Sequence, residues 1–245
     1  MSTTTPELQS HGHDSHGHGD HNPFHQHHFT TMEQQFDTSK LGMWTFIATE
    51  ILMFGGLFVG FGLSQGKYPQ EFVDAHHHLQ RIPGVINTVV LLLSSWTMVM
   101  AVDAASKSNR ARMKMFLWLT FLCAAAFLGV KYYEYEHKFH DGLLPGKYYT
   151  PQTSDSVQAC VEDANGTRQP AGCSNGYGTF FSFYFMMTGL HGFHILVGMI
   201  LILWLLKNSN NFSSSYYTPV DLFGLYWHIV DMIWIYLFPL YYLIS

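Results

Sequence analysis

Five stretches of the chain are apolar for long enough to cross a bilayer, and polar stretches separate them. A membrane span needs about 20 mainly apolar residues. The runs fall near 42–64, 84–106, 113–135, 178–206 and 219–243. Backbone in lipid must satisfy its own hydrogen bonds, so each run is predicted as an α-helix. The expected fold class is all-α, an integral membrane bundle of five transmembrane helices. Residues 1–40 read as a polar, His-rich, disordered tail, 41–245 as the membrane domain, and 136–177 as a long loop within it.

Composition supports this pattern once its unevenness is allowed for. Charged residues make up 12% of the chain, about half the share in a soluble domain. Mean hydropathy is only +0.06, because Met1–Lys40 and Lys138–Asn175 dilute the apolar runs. The first forty residues lack the apolar segment of a signal peptide. A net charge of -5 gives no basic footprint for nucleic acid.

Basic residues set the expected orientation. Lys107, Arg110, Arg112 and Lys114 crowd the turn between the second and third spans, which predicts that this turn is cytoplasmic. The N-terminus is then cytoplasmic and the C-terminus periplasmic. Tyr132, Tyr133, Tyr135, Tyr216, Tyr217, Tyr241 and Tyr242 gather near span ends, as an interfacial belt does. Cys160 and Cys173 share the 136–177 loop, on the outer side, where a disulfide between them is chemically permitted. The tract "HGHDSHGHGDHNPFHQHH" can take up metal ions loosely, but nothing in it fixes a coordination geometry.

The chemistry-bearing residues inside the spans are few. The first span has Glu50; the second has Asn87, Ser94, Ser95 and Asp103; the third has Lys131 and Glu134. The fourth has His191 and His194; the fifth has Asp221, His228 and Asp231. Lys131 and Glu134, three apart, read as an ion pair at the membrane interface. Asn87, Ser94 and Ser95 read as hydrogen-bonding contacts between helices. Glycines at Gly55/Gly56 and Gly189/Gly192 suggest close helix packing. Glu50 stands out, since a carboxylate at mid-membrane costs about 2.5–3.5 kcal/mol and no cationic partner is evident at its depth. Two cofactor readings stay open here: a b-type haem between His191 or His194 and His228, and a di-iron site. The second draws on His76–His78, His137–His140 and His191–His194, which the predicted topology does not bring together.

Several stretches resemble subunit III of the haem-copper terminal oxidases. These are "LGMWTFIATEILMFGGLF" (41–58), "NTVVLLLSSWTMVMA" (87–101), "FLGVKYYEY" (127–135), "TGLHGFHILVG" (188–198) and "YWHIVDMIWIYLFPLYYL" (226–243). They occur in family order, touch every span, and with "HHFTTMEQQF" (27–36) cover most of residues 27–245. The resemblance implies a non-catalytic subunit without haem, copper or other metal of its own. Its expected partners are subunit I, which holds the haem and copper, subunit II, and membrane phospholipid. The implied setting is the bacterial inner membrane, in aerobic electron transport that reduces oxygen and pumps protons. Within the same family, quinol oxidase subunit III and the accessory protein of nitric oxide reductase systems are the alternatives.

Residue by residue, Glu50 matches the family's intramembrane glutamate and Glu134 the acid of its Tyr-Tyr-Glu-Tyr block. His191 and His194 match its paired histidines, and His228, Asp231 and Trp234 its Trp-His-x-x-Asp-x-x-Trp block. Asp221 stands where the family usually has glutamate. Many members have seven helices, with a lipid cleft between the first two and the last five. This chain corresponds to the last five, so helices of another subunit would complete that groove. Glu50 is expected to face an interior groove, hydrogen-bonded or neutral, and to hold lipid or the packing against subunit I rather than relay protons.

Overall fold

Thr31 starts the first helix. Its Oγ1 accepts from the Gln34 backbone N–H at 3.1 Å, and Glu33 places an acid in the first turn, where the helix dipole favours it. The computed structural model describes residues 29, 31–77, 81–140, 175–213 and 216–242. Within them, α1 runs Met32–Lys67, α2 Pro69–His77, α3 Arg81–Ser106, α4 Arg110–His140, α5 Asn175–Lys207 and α6 Thr218–Tyr242. A short 3-10 turn, Ser209–Asn211, lies between α5 and α6. All of these helices except α2 are long and apolar enough to span a membrane.

Two boundaries differ from the sequence reading. Helix α1 starts at Met32, inside the segment expected to be disordered tail. Its first turns have tertiary partners: the Phe36 ring lies 6.5 Å from that of Tyr217, and Lys40 Nζ lies 3.3 Å from Asp221 Oδ2. The second difference is α2, a nine-residue helix where a connecting loop was expected. Pro69 suits its first turn, and Phe72 and Ala75, one turn apart, are fully buried. Residues 1–28 of the tail, residues 141–174 of the outer loop, and Cys160 and Cys173 lie outside the described residues. So do the side chains of the His76–His78 and His137–His140 groups.

Four helices form a ring. Helix α3 packs on α4 and α6, and α5 packs on the same two. Helix α1 lies against the α5/α6 seam, and α2 covers α1 and α5. The core is aromatic: Trp227, Trp234, Tyr184, Tyr241, Phe61, Phe127 and Phe180 are all buried. Lipid tails are as apolar as these side chains, so helix association rests on packing and interhelical hydrogen bonds. Large apolar residues accordingly cover the outside, with Leu52 at 76% exposure and Ile200 at 66%.

The close helix contacts are not at the glycines expected. A Cβ at Gly55, Gly56, Gly189 or Gly192 would meet nothing within 4 Å. At Gly198 it would lie 2.5 Å from Trp227 Cζ3, and at Gly224 3.0 Å from Val102 Cγ2. Paired glycines catch the eye in sequence, but the bulk of the residue opposite decides which glycine is needed. Helices α3 and α4 are joined tightly through Ser108, whose φ of 55° is left-handed. Asn109 then accepts the Arg112 backbone N–H on Oδ1 at 3.2 Å.

Candidate functional site

Glu50 lies midway along α1 and turns its carboxyl into the α1/α5 seam. Oε2 sits 3.1 Å from His194 Nε2, and the two side chains are 14% and 12% exposed. This corrects the reading that Glu50 lacks a cationic partner at its depth. The contact is at ion-pair distance without the alignment of a hydrogen bond, since Oε2 has no hydrogen-bond partner among the described residues. On its other side, His194 Nδ1 is 2.8 Å from the Leu190 carbonyl oxygen. A carbonyl only accepts, so Nδ1 carries a proton. The contact with Glu50 is then favourable when a further proton sits on Nε2 or on the carboxyl. Tyr226 donates to the His194 carbonyl at 2.8 Å, and Phe54 meets the imidazole edge-on at 5.8 Å.

A second cluster ties α4 to α5 and α6. Lys131 Nζ donates to Glu134 Oε2 at 2.7 Å, and Tyr184 donates to Glu134 Oε1 at 2.7 Å. Lys131 Nζ also lies 4.6 Å from the Trp234 ring centroid, as a cation over an aromatic face. Tyr135 bonds Thr188, which in turn bonds the Tyr184 carbonyl. The spacing of Lys131 and Glu134 foretold their pairing but not its setting. Both are buried, at 7% and 5% exposure, and the pair lies inside the bundle instead of at the interface.

The remaining polar residues answer one another across α3 and α6. Ser94 is 3.5 Å from Asp231 Oδ2 and accepts from Trp227 Nε1 at 3.2 Å. Ser95 Oγ is 2.8 Å from His228 Nδ1. Trp234 Nε1 donates to Thr88 at 3.1 Å. Thr97 and Thr120 join α3 to α4 at 2.8 Å. Asp221, at the start of α6, pairs with Lys40 as noted above. His191 lies inside the ring between Trp234 and Phe127, its centroid 5.3 and 5.5 Å from theirs. Neither of its nitrogens, nor either polar atom of Asn87, has a hydrogen-bond partner among the described residues.

The candidate site residues therefore divide among separate seams: Glu50 and His194 at α1/α5, Glu134 at α4/α5, His191 in the ring, Asp221 at α1/α6, His228 and Asp231 at α3/α6. His194 is engaged by α1 and His228 by α3, so the histidines considered for a haem answer to different helices. Among the described residues, no group of three or more His, Cys, Asp or Glu converges where a metal ion could sit. Each pair can lock a helix boundary. Sequence reading missed Tyr184, Trp227, Tyr226 and Lys40 as polar partners. Their polar tips belong to residues that look like belt or core in sequence, and no local spacing joins them to their acceptors.

Comparison with known proteins points in one direction. The family profile "Cytochrome c oxidase subunit III" matches residues 168–245, which hold α5 and α6. "Cytochrome c oxidase subunit 3" of Thermostichus vulcanus is 29% identical over 216 residues, covering 85% of this chain and 89% of that protein. "Probable quinol oxidase subunit 3" of Staphylococcus epidermidis is 26% identical over 220 residues, covering 85% and 90%. Its namesake in Staphylococcus haemolyticus is 28% identical over 211 residues, covering 84% and 89%.

Proposed function

The chain belongs to the oxidase subunit III family, and from that premise we propose that it is the non-catalytic subunit III of a respiratory haem-copper oxidase of the cytochrome c oxidase type. It is a multi-pass membrane protein that associates with the other subunits of the oxidase. Subunit I, holding the haem and copper, is its principal neighbour, with subunit II beside it. The chain carries no haem or copper itself. The observation behind this reading is how the intramembrane polar groups are used: each pair fastens one helix to another, and no nucleophile, base and oxyanion donor share a cleft.

In this role the bundle stabilises subunit I during turnover, sustains proton uptake and binds phospholipid. An apolar groove of about 390 Å³ between α1, α5 and α6 supports the lipid part, lined by Met43, Phe46, Leu201, Trp204, Phe223 and Tyr226. The orientation we propose has the N-terminus cytoplasmic and the C-terminus periplasmic, in a bacterial inner membrane. Lys114 approaches Asn210 at 3.3 Å and Arg110 donates to the Phe212 carbonyl at 3.4 Å. Those contacts put the basic α3/α4 turn and the α5/α6 connection at one end of the bundle, with Lys40 and Lys207. Such an end is cytoplasmic by the positive-inside rule.

The test is purification of the tagged chain from its native membrane in mild detergent, with optical spectra and identification of its companions. An equimolar haem-copper subunit I, with no haem on the chain once isolated, supports the proposal. A lone chain that keeps haem or iron overturns it and makes His191, His194 and His228 candidate ligands. The quinol oxidase alternative rests on relatives of that name. Whether the purified complex oxidises cytochrome c or a quinol decides between them.

A further inference from the structure

The outward face of α6 carries a stripe at heptad spacing: Asp221, Leu225, His228, Met232, Ile235 and Pro239. Steps of four and three residues are those of a helix that receives another helix along its length. The stripe is distinct from the faces α6 already uses. Tyr226 and Tyr241 face α1, Trp227 and Trp234 face the ring, and Gly224 meets α3. Both α1 and α3 pack on α6, so they flank the stripe. On the α3 side, Leu92 and Val99, one turn either way from Ser95, are 51% and 50% exposed; on α6, Met232 is 50% exposed.

A stripe of this kind in lipid needs no explanation if it is wholly apolar. This one has an imidazole at its centre. His228 is ten residues from the start of its span and thirteen from its end, about 15 and 20 Å at 1.5 Å per residue. Its Nδ1 is held by Ser95. Its Nε2 has no partner among the described residues and is not among the enclosed nitrogens, so it reaches the surface at mid-depth. Glu50 and Lys131 are answered by residues of the same chain. An ionisable group facing outward at this depth marks a contact with protein more often than with lipid.

We propose that the outward face of α6, between α1 and α3, receives one transmembrane helix of another oxidase subunit, with His228 Nε2 as the polar anchor and Met232 and Ile235 as the packing surface. This rests on the reading of the chain as subunit III and adds which surface it uses.

The test uses the intact complex in its native membrane, with the photo-reactive residue p-benzoylphenylalanine in place of Met232. After illumination, adducts on the tagged chain are identified by mass spectrometry. The expected result is an adduct with a transmembrane segment of one co-purifying oxidase polypeptide. Adducts with lipid alone, or with a second copy of this chain, in a preparation that still contains the oxidase subunits, would overturn the surface and leave the subunit reading intact. Absence of those subunits before illumination would overturn the subunit reading itself. The anchor is tested separately: His228→Leu should lower retention of the partner by about threefold to tenfold, the range of one interhelical hydrogen bond, while His228→Gln retains it. If His228→Leu instead removes the chain from the membrane, His228 serves the fold through Ser95 and is not the anchor.

Discussion

Removing either member of the Glu50–His194 pair should have unequal consequences, and the inequality follows from what each substitution leaves behind. His194→Leu strands a carboxyl in the α1/α5 seam at the middle of α1, where it is only 14% exposed. The cost is that of an acidic group at mid-membrane, about 2.5–3.5 kcal/mol. Glu50→Leu strands less. The imidazole keeps its Nδ1 contact to Leu190 and loses one interhelical interaction, about 0.6–1.7 kcal/mol. Glu50→Gln offers Nε2 a neutral partner and should stay within about 0.5 kcal/mol of the parent chain. For a chain of this size 1 kcal/mol moves Tm by about 2–4 °C, so His194→Leu should lower Tm by roughly 5–14 °C. Glu50→Leu should lower it by roughly 1–7 °C. The Glu50→Leu/His194→Leu double variant should melt above His194→Leu alone, because it removes the stranded acid. The assay is thermal unfolding in mild detergent followed by tryptophan fluorescence. Strictly additive effects, or a double variant that melts below both singles, would show that the two groups do not act on each other.

The buried Lys131–Glu134 pair predicts the same asymmetry inside the ring: Lys131→Met should cost about 3–5 kcal/mol, while a Lys131→Met/Glu134→Leu chain recovers most of it, read as chain accumulation in the membrane. Gly198→Ala drives a methyl group to within 2.5 Å of Trp227 and should destabilise by about 1–3 kcal/mol. Gly189→Ala, with nothing near it, should be neutral or gain up to about 1 kcal/mol of helix propensity; Tm values compare the two. Asn87→Leu removes two enclosed polar atoms that have no partner among the described residues and should leave Tm unchanged or raise it, whereas a fall of several degrees would mean that those atoms are satisfied in the membrane.

Much of the fold was legible because it depends on local composition. A backbone in lipid must bond to itself, so a long apolar run is a helix whatever its neighbours do. All five spans are found as helices. Lys131 and Glu134 were legible as a pair for a related reason, since three residues is one helical turn. Helix α2 and the early start of α1 were not legible. Both depend on partners from other helices: Phe61 and Phe180 for α2, Tyr217 and Asp221 for α1.

The sequence by itself determined that five helices cross a membrane, how they alternate, and which polar residues lie at what depth. The resemblance in five ordered blocks carried the family. Tertiary structure decided which polar residue answers which. Ser94 and Asp231 meet across 137 positions and Ser95 and His228 across 133, and Glu50 meets His194 from another helix. It also decided that Gly198, and not the glycine pairs, is where two helices come closest. The physical reason is the same in each case. Depth and helicity are properties of a single segment in lipid. A helix has several faces, and which of them meets a neighbour is fixed only when the helices pack.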